Sequence, residues 1–375
     1  MIPGLHIALA VALACVLGGA SPVAIPGPGC PPGLTVDESS AQGGDDPLRL
    51  QAVVAMVDRA HVFLLENQNP DGSFSLLRSE RESGSAAPIA VTGLASLSLM
   101  ASGGLPVRRD GGGSRSQPIQ RAIRWLIDHC DSAGEFRADD DTVSKMHGQG
   151  YALLALTQAV GMYGSGEPER LRLAAAIDRA VGLVQDTQGL QGGWYYEARR
   201  STGHEGSITV CMIQALRAAK DAGFVVDQGV ITAAEEYMKR SQDKESGRFR
   251  YAIGNDRMTW ALTAAALATL NALGDYGSDE LADGFEALRR EDPITGSGRT
   301  DMFQLYGSFY AAQSYWAWRD PRMFEQWWPQ FVQYCRDQQR EGGEFSHGKY
   351  GKVYATAIMS LTLQVPLGYL PLFQK

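Results

Sequence analysis

One short turn recurs along this chain, and it limits the fold more than any other feature. It reads Gln68-Asn69-Pro70-Asp71-Gly72-Ser73-Phe74, then Gln188-Gly189-Leu190-Gln191-Gly192-Gly193-Trp194. It returns as Gln242–Phe249 and Gln339–Phe345, and in degraded form as His129–Phe136. A sixth, more degraded copy is expected within Pro293 to Phe303. The closing aromatics stand at 74, 136, 194, 249, 303 and 345, at intervals of 62, 58, 55, 54 and 42. That spacing leaves room for one helical hairpin per repeat. Glycine stops the first helix in a conformation other residues avoid. Gln can bond exposed backbone at the turn, and the aromatic packs back over it.

The segments before each turn are amphipathic and charged: 48–67, 117–130, 168–187, 228–241, 278–290 and 321–339. Those after it are poorer in charge and richer in Ala, Gly and aromatics: 86–101, 142–161, 205–222, 256–273, 304–318 and 350–364. A helix apolar nearly all round must be buried. The second set therefore lines an interior and the first wraps it. The reading is an all-α fold, an α/α toroid of six inner and six outer helices. An open solenoid would leave too much apolar surface exposed.

Composition narrows the class. Hydrophobic residues are 44% and charged residues 20%, which excludes a disordered chain or a multi-span membrane protein. The charge, 34 − 42 = −8, argues against a dedicated nucleic-acid binder. Ile7–Ala20 is an uncharged apolar run, read as the core of an export signal over residues 1–24. Five of the 17 prolines fall between Pro22 and Pro32, so residues 25–47 read as a tether and 48–375 as the repeat domain. The expected location is exported, with no transmembrane helix in the mature chain. Cys30, Cys130, Cys211 and Cys335 are scattered without a C-x-x-C pair, which argues for free thiols rather than a metal knuckle.

The turn motif resembles the QW repeat of squalene–hopene cyclases and the repeat of protein prenyltransferase β subunits. The resemblance covers about 48–375. Met146–Ala152, Ile208–Cys211, Tyr306–Gln313 and Gln364–Pro371 are similar to exported bacterial proteins with prenyltransferase/squalene-oxidase repeats. The resemblance implies a toroid with a central aromatic cavity.

Chemistry is a separate question, because fold does not fix function. A squalene-type cyclase protonates an alkene with an Asp-x-Asp-Asp motif. The matching segment is Ala138-Asp139-Asp140-Asp141-Thr142, which lacks the first Asp, so Asp139, Asp140 and Asp141 are the candidate acids or helix caps. The Asp-x-Cys and His that hold a prenyltransferase zinc are absent from the segments around Tyr306 and Tyr350, so neither metal nor other cofactor is expected. A toroid glycosidase needs two carboxylates across a cleft, for which Glu205 and Asp256 are candidates. His147 and His204 fall at the same edge of the ring, where inner helices begin. Tyr151, Trp260, Tyr306, Tyr310 and Tyr354 are expected along the lumen. The leading expectation is a binding protein for an apolar, isoprenoid-like ligand or a protein partner. The alternatives are a divergent class II terpene cyclase or a carbohydrate-active enzyme.

Overall fold

The computed structural model describes residues 47–106, 115–164, 166–275, 278–296, 298 and 303–374. The expected signal and tether lie outside them, apart from Pro47. Among the described residues twelve α-helices form six hairpins. The outer helices are α1 (Pro47–Glu66), α3 (Ser116–Asp128), α5 (Pro168–Asp186), α7 (Gln228–Ser241), α9 (Asp279–Arg290) and α11 (Pro321–Gln338). The inner helices are α2 (Pro88–Ala101), α4 (Lys145–Val160), α6 (Gly206–Asp221), α8 (Trp260–Ala272), α10 (Gln304–Ala317) and α12 (Gly351–Leu363). Each inner helix packs on the next, and α12 returns to α2, so the inner ring is closed. The outer helices sit on the inner ones, and α1 also touches α11 and α12. The expected α/α toroid is the observed fold. Every residue of α2 is buried, whereas α5 buries one stripe.

The turns explain why the ring holds its angle. Gln68 Nε2 donates to the Gly72 carbonyl of its own turn at 2.9 Å and to Pro118 O on the next outer helix at 2.9 Å. Gln188 does the same to Gly192 O and Val230 O, and Gln242 to Gly247 O and Glu280 O. Gln339 reaches Gly343 O at 2.9 Å and Met56 O on α1 at 2.8 Å, which stitches the last hairpin to the first. The glycines let the hairpins approach. Gly343 has φ +87°, and a Cβ there would lie 2.3 Å from Arg59 O. The closing aromatics Phe74, Trp194, Phe249 and Phe345 are buried. Their backbone N–H groups donate to Thr92, Thr209, Thr263 and Thr356 on the inner helices, at 2.9–3.2 Å.

The degraded turn is repaired from the other side. Where His129 replaces the Gln, Gln149 of α4 donates to Gly134 O at 2.8 Å and accepts from Phe136 N at 3.0 Å. It thus does the work of both Gln and Thr. In the fifth hairpin, between α9 and α10, the buried Asp292 accepts from Ile294 N, Thr295 N and the Trp327 indole.

The seam between last and first hairpins carries a buried polar chain. His61 of α1 lies 3.0 Å from Ser98 Oγ of α2, which lies 2.6 Å from Ser360 Oγ of α12. Gln364 Nε2 donates to Ser98 O at 3.1 Å. Burial drives the His61 pKa down to about 3. Beyond α12, two 3₁₀ turns (Val365–Leu367 and Pro371–Phe373) carry the chain back across the ring. Leu372 N donates to Gln158 of α4 at 3.2 Å, and the Trp316 indole of α10 donates to Phe373 O at 3.1 Å. This strap floors the lumen at the C-terminal ends of the inner helices.

Candidate functional site

The opposite end of the ring holds a cavity of about 520 Å³. It lies among the N-terminal turns of all six inner helices, from Ala90 of α2 to Tyr354 of α12. Tyr151, Tyr196, Tyr251, Phe303, Tyr306, Tyr350 and Tyr354 supply aromatic wall, and Ala87, Val91, Val143 and Leu262 supply aliphatic wall. Cations line it as well: Lys145, Arg257 and Lys349, all exposed. Among the described lining residues Glu205 is the one carboxylate. Six helix N-termini add partial positive charge at the same end.

The floor is phenolic. Tyr310 is fully buried, its ring 4.7 Å from that of Tyr306, and its hydroxyl lies 3.8 Å from Cys211 Sγ. Burial raises the pKa of Tyr151, Tyr306 and Tyr310 well above the ordinary tyrosine value and pushes the Cys211 thiol up to about 12. These groups are therefore neutral donors at pH 7.

One wall carries a short acid–base chain. Glu205 caps α6, its carboxylate accepting from Ser207 N at 3.1 Å and Ile208 N at 2.8 Å. Ser207 Oγ stands 2.7 Å from Glu205 Oε2 and 3.0 Å from His147 Nε2. Burial raises the Glu205 pKa, opposed by these hydrogen bonds and by Arg257. Burial lowers the His147 pKa to about 4, so the ring is neutral at pH 7. The chain can pass a proton between a buried carboxyl and an imidazole at the cavity wall.

The rim is aromatic and basic. The Tyr196 and Tyr251 hydroxyls bond each other across the mouth. Arg257 lies 5.2 Å from the Tyr251 ring and 5.7 Å from that of Phe303. Lys349 lies 5.2 Å from Tyr350, and Lys145 5.5 Å from Tyr196. Lys145 also faces Glu197 at 3.7 Å, whereas Arg257 and Lys349 pair with no carboxylate among the described residues. Lys145 has φ +46°, the one non-glycine residue in the left-handed region among those described. Such strain persists where surroundings fix it, and it clusters at functional sites.

Of the residues expected from sequence, His147, Tyr151, Glu205, Tyr306 and Tyr354 line this cavity. Tyr310 lies beneath its floor. Trp260 packs outward against α9, its indole donating to Leu288 O at 3.1 Å. His204 bonds Tyr237 Oη at 3.1 Å and is not part of the lining. Asp256 is exposed in the loop before α8, where Thr259 caps the helix instead. Asp139 and Asp140 are exposed, away from the cavity. Asp141 ties two helix starts together, accepting from Ile89 N at 3.1 Å and Ser144 N at 2.8 Å. The structure thus gives Asp141 a capping geometry and brings none of the three to the cavity. Tyr196 and Tyr251 escaped the sequence reading. Both stand two residues after a closing aromatic, Trp194 and Phe249, which is the signal that would have found them. Among the described residues no group of three His, Cys, Asp or Glu is placed to hold a metal, and no helix is long and apolar enough to cross a membrane.

No family model and no curated protein matches the chain. Solved structures do. A cellobiose 2-epimerase from Bacillus thermoamylovorans aligns with a TM-score of 0.60 at 12% identity, over 84% of this chain and 100% of the other. A glycosidase aligns at 0.58 and 14% identity, over 88% and 100%. A variant of the type II terpene cyclase MstE from Scytonema, in complex with its substrate geranylgeranyl dihydroxybenzoate, aligns at 0.55 and 15% identity, over 87% and 100%. Likeness at this identity speaks to architecture alone, and together with the closed inner ring it places the chain among the α/α toroids.

Proposed function

We propose that the tyrosine-lined cavity binds an amphipathic molecule with an anionic head. The head sits at the rim near Lys145, Arg257 and Lys349, and the apolar body lies among Tyr151, Tyr306, Tyr354 and the aliphatic wall. The observation that carries this reading is the charge pattern: among the lining residues three cations, of which Lys145 also meets Glu197, and six helix N-termini face one buried carboxylate. Fixed positive charge beside low-dielectric wall favours an anion far more than it would in water. A cavity of about 520 Å³ suits a ligand of lipid or isoprenoid-acid size. MstE was solved with geranylgeranyl dihydroxybenzoate, a molecule of that general build, although the reading rests on the cavity and not on that likeness. Native mass spectrometry of the full chain after exposure to a lipid extract tests it. The expected adduct is an acidic lipid or isoprenoid acid; recovery of neutral lipids alone would overturn it.

A second reading, catalysis in the same cavity, is favoured by the Glu205–Ser207–His147 chain. Burial makes Glu205 a weaker acid, which suits proton exchange with a heteroatom better than protonation of an alkene. Glycosidase chemistry needs two carboxylates flanking the bond, and the described lining supplies one. On this reading Glu205→Gln retains the ligand and abolishes turnover. Residues 1–24 are proposed to direct export and 25–47 to tether the ring; the apolar run and the proline cluster support both.

A further inference from the structure

The C-terminal end of the ring holds a second cavity, of about 620 Å³, on the far side from the tyrosines. Its chemistry is different. The strap residues Leu372 and Phe373 form one wall, and Gln158, Gln214, Asn271 and Gln313 bring amides into it. Of its charged residues Arg217 and Asp221 pair with each other, whereas Arg170 has a backbone carbonyl and no carboxylate among the described residues. Arg217 holds both Asp221 oxygens at 3.0 Å and bonds Ala272 O, and Arg170 reaches Val160 O. Two amides are not satisfied. Asn271 is 1% exposed, yet neither its Oδ1 nor its Nδ2 has a partner in the chain. Gln214 is 3% exposed; its Nε2 donates to Gln313 Oε1 at 3.1 Å, but its own Oε1 is unpartnered. A buried amide left without partners costs about 1–3 kcal/mol.

An aromatic cluster stands beside this cavity. Trp316, on the lining, has its ring 5.0 Å from Phe324, which stacks at 5.1 Å on Trp328. All three are partly exposed. Unpartnered amide donors and acceptors, little net charge and partly exposed aromatic rings together describe one ligand class. Amides match hydroxyls that both donate and accept, and aromatic faces pack against the C–H faces of sugar rings. The inner helix C-termini point here as well, so an anion is disfavoured. We propose that this cavity binds a neutral saccharide chain, with Asn271 and Gln214 bonding its hydroxyls and the partly exposed Trp316 ring packing on a sugar face. The site is separate from the tyrosine cavity and does not depend on what that cavity holds.

Saturation-transfer NMR on the full chain tests this with three probes: maltotriose, cellotriose and N-acetylchitotriose. At least one is expected to receive saturation from the protein, and Asn271→Leu and Trp316→Leu are each expected to weaken it at least tenfold. Asn271→Leu should leave the melting temperature equal or higher, since it removes unpaired amide groups. Both variants should keep the wild-type helical circular-dichroism spectrum and a cooperative melt, which shows that the ring is intact. The proposal is overturned if none of the three saccharides receives saturation, or if transfer is unchanged in both variants.

Discussion

Gly343→Ala probes the contact that closes the ring, and its cost can be worked in parts. The residue has φ +87°, where a side chain costs about 1–2 kcal/mol. Alanine recovers about 0.4–1 kcal/mol by restricting the unfolded chain. The second part is steric. The new Cβ would meet Arg59 O at 2.3 Å, which is backbone and cannot rotate away. The last hairpin must move off α1, at an overpacking cost of about 1–3 kcal/mol. It also weakens the Gln339 bond to Met56 O, worth about 1 kcal/mol. The sum is about 2–5 kcal/mol. Gly223→Ala is the control: its φ is +92°, but nothing lies within 4 Å of an added Cβ, so only the backbone part applies. With an unfolding entropy of roughly 2.1 cal/mol/K per residue over about 330 residues, 1 kcal/mol is about 1.4 °C. Differential scanning calorimetry should show Gly343→Ala lowering the melting temperature by about 3–7 °C and Gly223→Ala by about 1 °C. Equal shifts would refute the close approach as the reason for the glycine.

Other outcomes follow from the same geometry. His61 should make stability acid-sensitive: its folded pKa of about 3 lies below the unfolded 6.5, so protonation favours the unfolded chain. Stability falls as pH drops from 6.5 toward 3, and at pH 5 the loss is about 1.5 × 1.36, or roughly 2 kcal/mol; denaturant titrations at pH 7 and pH 5 should show His61→Gln lacking that increment. Thr209→Val keeps the shape but orphans Trp194 N, and chemical denaturation should report a loss of about 1–3 kcal/mol. Lys145→Gly relieves a left-handed lysine and should raise stability by up to about 1 kcal/mol while weakening an anionic ligand, a split that a residue kept for packing would not show. N-terminal sequencing of protein recovered from the cell envelope should begin near residue 25; a chain retained whole in the cytosol would refute export.

The ring was legible because the Gln–Gly–aromatic turn is local: each copy stops a helix within a few residues and says so in its own letters. The partners of that turn were not legible. Thr92, Thr209, Thr263 and Thr356 look like any helical threonine until the next element is placed beside the turn. Gln149 repairs the degraded copy from 13 residues away, a compensation that only tertiary contact reveals. Helix phase located Tyr151, Tyr306 and Tyr354. It failed at Asp256 because the loop before α8, held by Tyr251 N to Arg257 O at 2.7 Å, delays the helix to Trp260 and leaves Asp256 in solvent. The same loop delivers Tyr251 and Arg257 to the mouth, so the residues that give the cavity its charge lie where periodicity carries no information.

The cavity is proposed to select an apolar molecule by its negative head. The direct test is a fluorescence titration of the full chain with cis-parinarate and with its neutral methyl ester. The acid should bind at least tenfold more tightly, a difference of about 1.4 kcal/mol. That advantage should vanish in Lys145→Glu/Arg257→Glu, with the ester unaffected. Equal affinity for acid and ester in the wild-type chain would rule out selection by charge.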